Sequence, residues 1–434
     1  MTIGSSSGRR TFLKWATALP VMGQIAAQDL LAKALRMAGN EGNIYARLGI
    51  RTLINARGTW TYLTGSLELP EVQQAQSEAA KHFVDILELQ HAVGRRLAEL
   101  SGAESGMVTS GAAGAMASAT AACIAGTDPA KIWQLPDTTG LKHEVIMVGG
   151  RSAFDSALRL AGGRLVLVES HEQIQNAVND MTAMIYTTDL GEKLEKEVSI
   201  AKSAGIPLLL DDAAGIPPID NLRLYAKMGV DLYTFSGGKG LGGPQCSGLL
   251  LGRKNLIEAA LANSSPWEGA VCRPMKVGKE EIIGCLAAVE AWMKMDLNAL
   301  DRQWNERVEK ISRLIETVPG VTTDIHVPKE GNRYPTLTVR WDERRWGFSV
   351  ADCASQLRAG DPRIEVLTAD NPSGVTAVEE GLPSSKMPHE RDQLQIVSMT
   401  LRAGEELIVG QRLREVLRAA RKSAAGARVR DPAG

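Results

Sequence analysis

Short, unbroken apolar runs recur through the first two-thirds of the chain. They are Gly106-Met107-Val108-Thr109, Val145-Ile146-Met147-Val148, Leu165-Val166-Leu167-Val168, Ala183-Met184-Ile185-Tyr186, Pro207-Leu208-Leu209-Leu210 and Leu232–Phe235. A strand with one wet face alternates polar and apolar; runs that stay apolar predict strands covered on both faces. Helical patterns lie between them. Pro70 to Leu100 reads as one long two-faced helix, Ala112 to Ala125 as an alanine-rich one, and Ala153–Ala161 and Lys193–Ala204 as shorter ones. Strands alternating with helices predict an α/β fold with a mostly parallel, doubly wound sheet.

After about residue 265 the texture changes. Helical stretches at 279–295 and 299–317 precede Thr336–Trp341, which alternates like a half-exposed strand. A helix, a strand and a helix follow at 349–359, 363–367 and 403–420, predicting a smaller α+β C-terminal domain. The expected organisation is a signal segment at 1–34, a large domain at 35–265 with an arm at 35–60, connecting helices at 266–317, a small domain at 318–421 and a disordered tail at 422–434. Ala369–Arg391, rich in Pro, Ser, Gly and charge, reads as a long loop.

Composition narrows the classes. The 434 residues carry 49 Lys and Arg against 50 Asp and Glu, so there is no basic footprint for nucleic acid. The five cysteines, at 123, 246, 272, 285 and 353, form neither a CxxC pair nor a Cys/His cluster, which argues against a zinc site and against a disulfide framework, and no metal is expected. No run approaches the roughly 18–20 apolar residues of a membrane span. Gly8-Arg9-Arg10-Thr11-Phe12-Leu13-Lys14, followed by the uncharged stretch Trp15–Gln28, resembles a twin-arginine export signal. It predicts a periplasmic or exported protein; the alternative is a basic helix start on a cytoplasmic one.

Three motifs carry the candidate chemistry. Ser236-Gly237-Gly238-Lys239-Gly240-Leu241-Gly242-Gly243-Pro244 rings one lysine with five glycines just past an apolar strand. A Walker-type phosphate loop needs GxxxxGK[ST], and Gly240 follows the lysine, so that reading fails. A surface turn and a Schiff-base lysine at a strand end remain. Leu208-Leu209-Leu210-Asp211-Asp212-Ala213 is a second strand, ending in a carboxylate 28 positions before Lys239. Pyridoxal 5′-phosphate (PLP) needs such a carboxylate to keep its ring nitrogen protonated, and Ala213 is small enough to lie against the ring. Asp211 alone could equally cap a helix. Third, Thr109-Ser110-Gly111-Ala112-Ala113-Gly114 joins a strand to a helix, so Ser110 and the amides of Gly111 and Ala112 are placed to hold a phosphate. Ser236 could add a hydrogen bond.

Phosphate loop, Asp and Lys in this order resemble fold-type I PLP enzymes of the aspartate-aminotransferase-like kind. Ser236–Lys239, Gly242-Gly243-Pro244-Gln245 and Arg273-Pro274-Met275-Lys276-Val277-Gly278-Lys279 are similar to the selenocysteine synthase and D-glucosaminate-6-phosphate ammonia-lyase family. Ile54-Asn55-Ala56-Arg57-Gly58-Thr59, Asp361-Pro362-Arg363-Ile364 and Gly404-Glu405 extend that resemblance over roughly residues 45–420. Selenocysteine synthases are similar in the core but carry an N-terminal domain for tRNA; the stretch before Ile54 is short and reads in part as a signal, so a tRNA substrate is not expected.

The resemblance implies PLP as cofactor, Lys239 as its covalent anchor and the base at the substrate Cα, Asp211 as the ring-nitrogen partner, and α,β-elimination of a small hydroxylated amino acid or amino-sugar acid. Racemisation, aldol cleavage, tRNA-dependent selenium transfer and a non-catalytic PLP-binding protein are the alternatives. Arg273, Lys276 and Lys279, Arg340 and Arg57 are candidates for the substrate's anionic group; a solvated basic helix start is the plainer reading of the first three. His143 could cap the ring or be buried, and Trp60 and Tyr62 could line the entrance or pack in the core. The expected partners are a small-molecule substrate and a second copy of the chain, in a homodimer or higher homo-oligomer.

Overall fold

The computed structural model describes residues 43–329, 333–368 and 393–430. The expected signal segment and the Ala369–Arg391 loop lie outside the described residues. Of the described residues, 43–54 and 360–363 belong to a small compact unit and the remainder to a large one.

The strands run in chain order. They are β1 (Leu53–Ala56), β2 (Ser105–Thr109), β3 (Glu144–Val148), β4 (Arg164–Val168), β5 (Thr182–Thr187), β6 (Leu208–Asp211), β7 (Leu232–Ser236), β8 (Gly248–Gly252), β9 (Thr322–His326), β10 (Thr336–Arg340), β11 (Arg363–Val366) and β12 (Leu394–Val397). Seven of them form the central sheet in the order β2-β8-β7-β6-β5-β3-β4. Only β8 runs against its neighbours, β2 and β7; the pairs from β7 through β4 are parallel. This is the mostly parallel, doubly wound sheet that the sequence predicts. Every residue of β5, β6 and β8 is buried, as two-sided coverage requires. β8 itself escaped the sequence reading because Gly248-Leu249-Leu250-Leu251-Gly252 follows the glycine loop without a helix between, so the alternation stops there.

A second, antiparallel sheet has the order β12-β10-β9 and contains the alternating strand found at Thr336–Arg340. Two expectations are corrected. The predicted helix over Pro70–Leu100 is two helices, Pro70–Ala79 and Ile86–Ser101. The second begins where Asp85 accepts from Leu87 N and Glu88 N, both at 2.9 Å, a cap that satisfies donors an uninterrupted helix would not expose. The tail expected to be disordered from 422 continues as helix Glu405–Arg430; Ser423-Ala424-Ala425-Gly426-Ala427 is rich in the best helix former. Among the described residues no helix is long and apolar enough to cross a membrane.

Candidate active site

Strand register assembles the site. Gly248 pairs with Thr109 on one side and Ser236 on the other, and Asp211 pairs with Thr234. Because β8 is antiparallel, its first residue stands level with the last residues of β2 and β7. Ser110, the Gly237–Lys239 turn and Asp212-Ala213 therefore leave the sheet at one edge, the carboxyl edge where doubly wound folds bind ligands. A Cβ at Gly248 would lie 2.4 Å from the backbone carbon of Gly111, so the row closes only with glycine there.

Lys239 sits in a loop held almost wholly by backbone. Gly237 N donates to Ser247 O and Gly243 N to Gly237 O, both at 2.8 Å, while Ser66 N reaches Gly238 O and Leu69 N reaches Gly242 O at 2.9 Å. At Gly240 an added Cβ would stand 1.9 Å from Ile216 O, which explains why the turn is glycine-rich. The Lys239 side chain is half-buried. Burial holds its pKa below the ordinary lysine value, with the Asp211 and Asp212 charges opposing that shift. More of the amine is then neutral, the form that attacks a carbonyl.

Asp211 ends β6 and is buried. Its Oδ2 accepts from the Tyr186 hydroxyl and its Oδ1 from Ala213 N, each at 3.1 Å. Burial pushes its pKa up; the Tyr186 hydrogen bond, the nearby Lys239 charge and the Ala213 amide pull it down. A carboxylate offers about four lone-pair sites, so acceptor capacity remains for a cationic ring N–H. Asp212 is also buried, takes the Tyr225 hydroxyl at 2.5 Å, and is raised by burial and further by Asp211. Ala213 bridges the two strand ends, its carbonyl accepting from Ser236 N at 3.0 Å.

Ser110 is the N-cap of the 15-residue helix Gly111–Ala125 and makes no side-chain bond to it. The first amides of a helix have no partner within it, so here they are left for an anion. A half-buried amine, a buried carboxylate and an uncapped helix N-terminus at one edge fit an aldehyde cofactor that carries a basic ring nitrogen and a phosphate.

Sequence reasoning missed Phe154, whose ring centroid lies 6.0 Å from Lys239 Nζ and whose side chain is largely exposed. The signal was present: β3 ends at Val148, so the loop after it must also rise at the carboxyl edge. It also missed Tyr186, which points inward from β5 to Asp211.

The candidates for a substrate anion are scattered. Arg57 is buried; its guanidinium donates to Val366 O at 2.9 Å and lies 5.1 Å from the Trp60 ring centroid and 5.9 Å from that of Tyr62. Those two rings enclose Arg57. Lys279 is paired with Glu280. Arg340 is exposed at the end of β10 and approaches Gln393 at 3.5 Å. Lys276 is exposed and Arg273 half-buried. Cys272 and Met275, which flank Arg273, pack with Ala117, Ala121, Ala125, Leu141 and Ala183. Ala183 lies at the start of β5 and Leu141 just before β3, so this cluster marks the edge opposite Lys239. His143, considered as a ring cap, also precedes β3 and bonds Leu141 O at 2.8 Å. Parallel strands put a residue before one strand at the opposite edge from a residue after another, and His143 is corrected on that ground.

The fold and site define a fold-type I, PLP-dependent enzyme. The family model described as SelA, L-seryl-tRNA selenium transferase, matches residues 54–318, and the chain belongs to that family. A D-glucosaminate-6-phosphate ammonia lyase from Salmonella typhimurium is 30% identical over 86% of this chain and 98% of its own length. A 5′-C-glycyluridine monooxygenase-decarboxylase from Streptomyces is 32% identical over 76% of this chain and 85% of its own. A solved D-glucosaminate-6-phosphate ammonia-lyase structure superposes with a TM-score of 0.72 at 29% identity, covering 87% of this chain and 99% of that one.

Proposed function

We propose that this protein is a PLP-dependent lyase that removes ammonia from a small hydroxylated amino acid or amino-sugar acid by α,β-elimination. The observation that carries the reading is the pairing of a half-buried Lys239 of lowered pKa with the buried, Tyr186-bound Asp211 at one sheet edge. The likeness to an ammonia lyase along almost the whole of that relative supports it.

PLP, when bound, supplies the electron sink for charge developing at the substrate Cα. Lys239 Nζ would anchor the cofactor and take the Cα proton; burial lowers its pKa, which leaves more of the amine in the neutral, basic form. Asp211 keeps a proton on the ring nitrogen, its orientation fixed through Oδ1 and Oδ2. Ser110 and the amides of Gly111 and Ala112 would hold the phosphate, Ser236 on β7 could add a hydrogen bond, and Ala213 and Phe154 would cover the ring. The Cα–H and Cβ–OH bonds break, water leaves, and hydrolysis of the remaining C–N bond gives ammonia and a 2-keto acid.

The monooxygenase-decarboxylase relative favours a second reading, in which dioxygen and loss of carbon dioxide replace elimination. One assay separates the two. Ammonia and 2-keto acid released from hydroxylated amino acids and amino-sugar acids without oxygen support the lyase; turnover only with oxygen, with carbon dioxide released, supports the other. Export by the twin-arginine route rests on Arg9-Arg10 and the uncharged stretch after it; fractionation of the native host for this protein tests it.

A further inference from the structure

Just past the carboxyl ends of β4 and β5, three side chains from separate elements converge. His171 opens helix His171–Ala177, Asp189 stands in the turn after β5, and Glu197 lies in helix Gly191–Ala204. One ligand atom from each falls within 4.8 Å of the others. His171 Nε2 is 2.9 Å from Asp189 Oδ2 and 3.4 Å from Glu197 Oε1. The Glu197 side chain is 1% exposed, and neither of its carboxylate oxygens meets a donor in hydrogen-bonding geometry. A buried acid without a donor is costly, and something should compensate it.

We propose that His171 Nε2, Asp189 Oδ2 and Glu197 Oε1 bind one divalent transition cation of the Zn²⁺ class. The spacing suits it: ligands 2.0–2.1 Å from zinc lie about 3.3–3.4 Å apart along a tetrahedral edge, close to the observed 2.9 and 3.4 Å. Charge suits it as well: neutral imidazole and two carboxylates together carry −2, which the largely exposed Lys193, 3.8 Å from Asp189 Oδ1, offsets only in part. One nitrogen and two oxygens form a set of intermediate hardness, which favours zinc over calcium or magnesium. The fourth position is left to water. Such an ion would tie two helices to the end of β5, the strand that delivers Tyr186 to Asp211.

The test uses the full-length PLP-loaded protein in a Cys246→Ser background, which removes the exposed thiol. After chelator treatment, zinc chloride is titrated calorimetrically and melting is followed with and without zinc. One equivalent bound at micromolar affinity or tighter, with a raised melting temperature, is expected. Glu197→Gln, His171→Ala and the milder Asp189→Asn should each weaken binding by at least about tenfold, the loss that even an outer-shell change causes. No binding at millimolar zinc, or an equivalent whose affinity none of the three variants alters, overturns the site. Neither result bears on whether Lys239 and PLP perform elimination.

Discussion

The Tyr186 hydroxyl meets Asp211 Oδ2 at 3.1 Å across neighbouring parallel strands, inside a core where Tyr186 is 2% exposed. It is the largest influence lowering the Asp211 pKa against burial. Removing it leaves Asp211 more readily protonated and held only through Oδ1 by the Ala213 amide. Tyr186→Phe should therefore move the acid limb of the activity–pH profile to higher pH and weaken PLP by about tenfold, the value of one hydrogen bond to a charged group. PLP titration and a kcat/KM–pH profile check both; an unmoved acid limb would detach Tyr186 from the chemistry.

Lys239 is expected to be the only covalent anchor. Borohydride should fix PLP irreversibly to the wild-type chain and not to Lys239→Ala, with mass spectrometry locating the adduct in the Ser236–Pro244 loop. Loss of the base should lower kcat by at least about a hundred- to ten-thousandfold. Added methylamine restoring part of the rate would identify the missing group as an amine.

Much of this site was legible before any coordinates. The Asp211–Lys239 order, the glycine loop and the Ser110 turn are local signals, and strand register brings their ends to one edge. Phe154 and Tyr186 were not read, because their roles depend on which edge and which face a residue reaches once the sheet is ordered. The anion candidates disperse within one chain for the same reason: Arg57 and Arg273 sit in suggestive sequence, but packing sends one among Trp60 and Tyr62 and the other toward the far edge. The split of Pro70–Leu100 is different, since Asp85 with Glu88 three residues on is a capping pattern visible in the sequence.

Stability should depend on pH through buried acids, Asp211 and Asp212 among them. Asp211 and Asp212 both have folded-state pKa values above the ordinary carboxylate value, burial being the main cause. A raised folded pKa contributes stability below the unfolded pKa that is lost as pH rises through the folded one. Apo protein should therefore lose stability between the acid carboxylate range and the raised folded values. Apo Asp211→Asn should melt about 1–3 °C above apo wild type at neutral pH, while PLP should stabilise wild type more than the variant. Lys239 acts in a separate window: its pKa is depressed, so its contribution is present at high pH and is lost as pH falls through the folded value. Differential scanning calorimetry of apo and PLP-loaded forms checks the sign; a variant less stable than wild type when apo would contradict it.

Phe154 offers a test that does not disturb the core. It is 61% exposed, yet faces Lys239, so its ring has little to hold it there except a ligand. Phe154→Ala should leave the melting temperature of the apo protein within a degree or so and speed PLP loss, raising the PLP dissociation constant by about tenfold, in keeping with about 0.5–1.5 kcal/mol from a ring pair beyond its buried area. Phe154→Tyr should retain wild-type affinity. If Phe154→Ala instead lowers apo stability and spares PLP binding, the ring is a packing element.

Arg273 carries the sharpest question about assembly. Its neighbours Cys272 and Met275 pack at the sheet edge opposite Lys239, so within one chain it is misplaced for a substrate bound there. If it nevertheless grips the substrate anion, a second copy of the chain must present it. Arg273→Met should then raise KM by about tenfold to a hundredfold, as loss of one charge-assisted contact does. Neither Lys239→Ala nor a more severely impaired Arg273→Ala should turn over alone at low substrate concentration. Mixed after co-expression, the two should recover a quarter or less of wild-type activity, because one interface of a mixed dimer then holds both an intact Lys239 and an intact Arg273. Recovery establishes a homo-oligomer with shared sites. A KM effect without recovery places Arg273 on its own chain's substrate and removes the oligomer from the mechanism; no KM effect leaves it a solvated cation at the start of the Lys279–Trp292 helix.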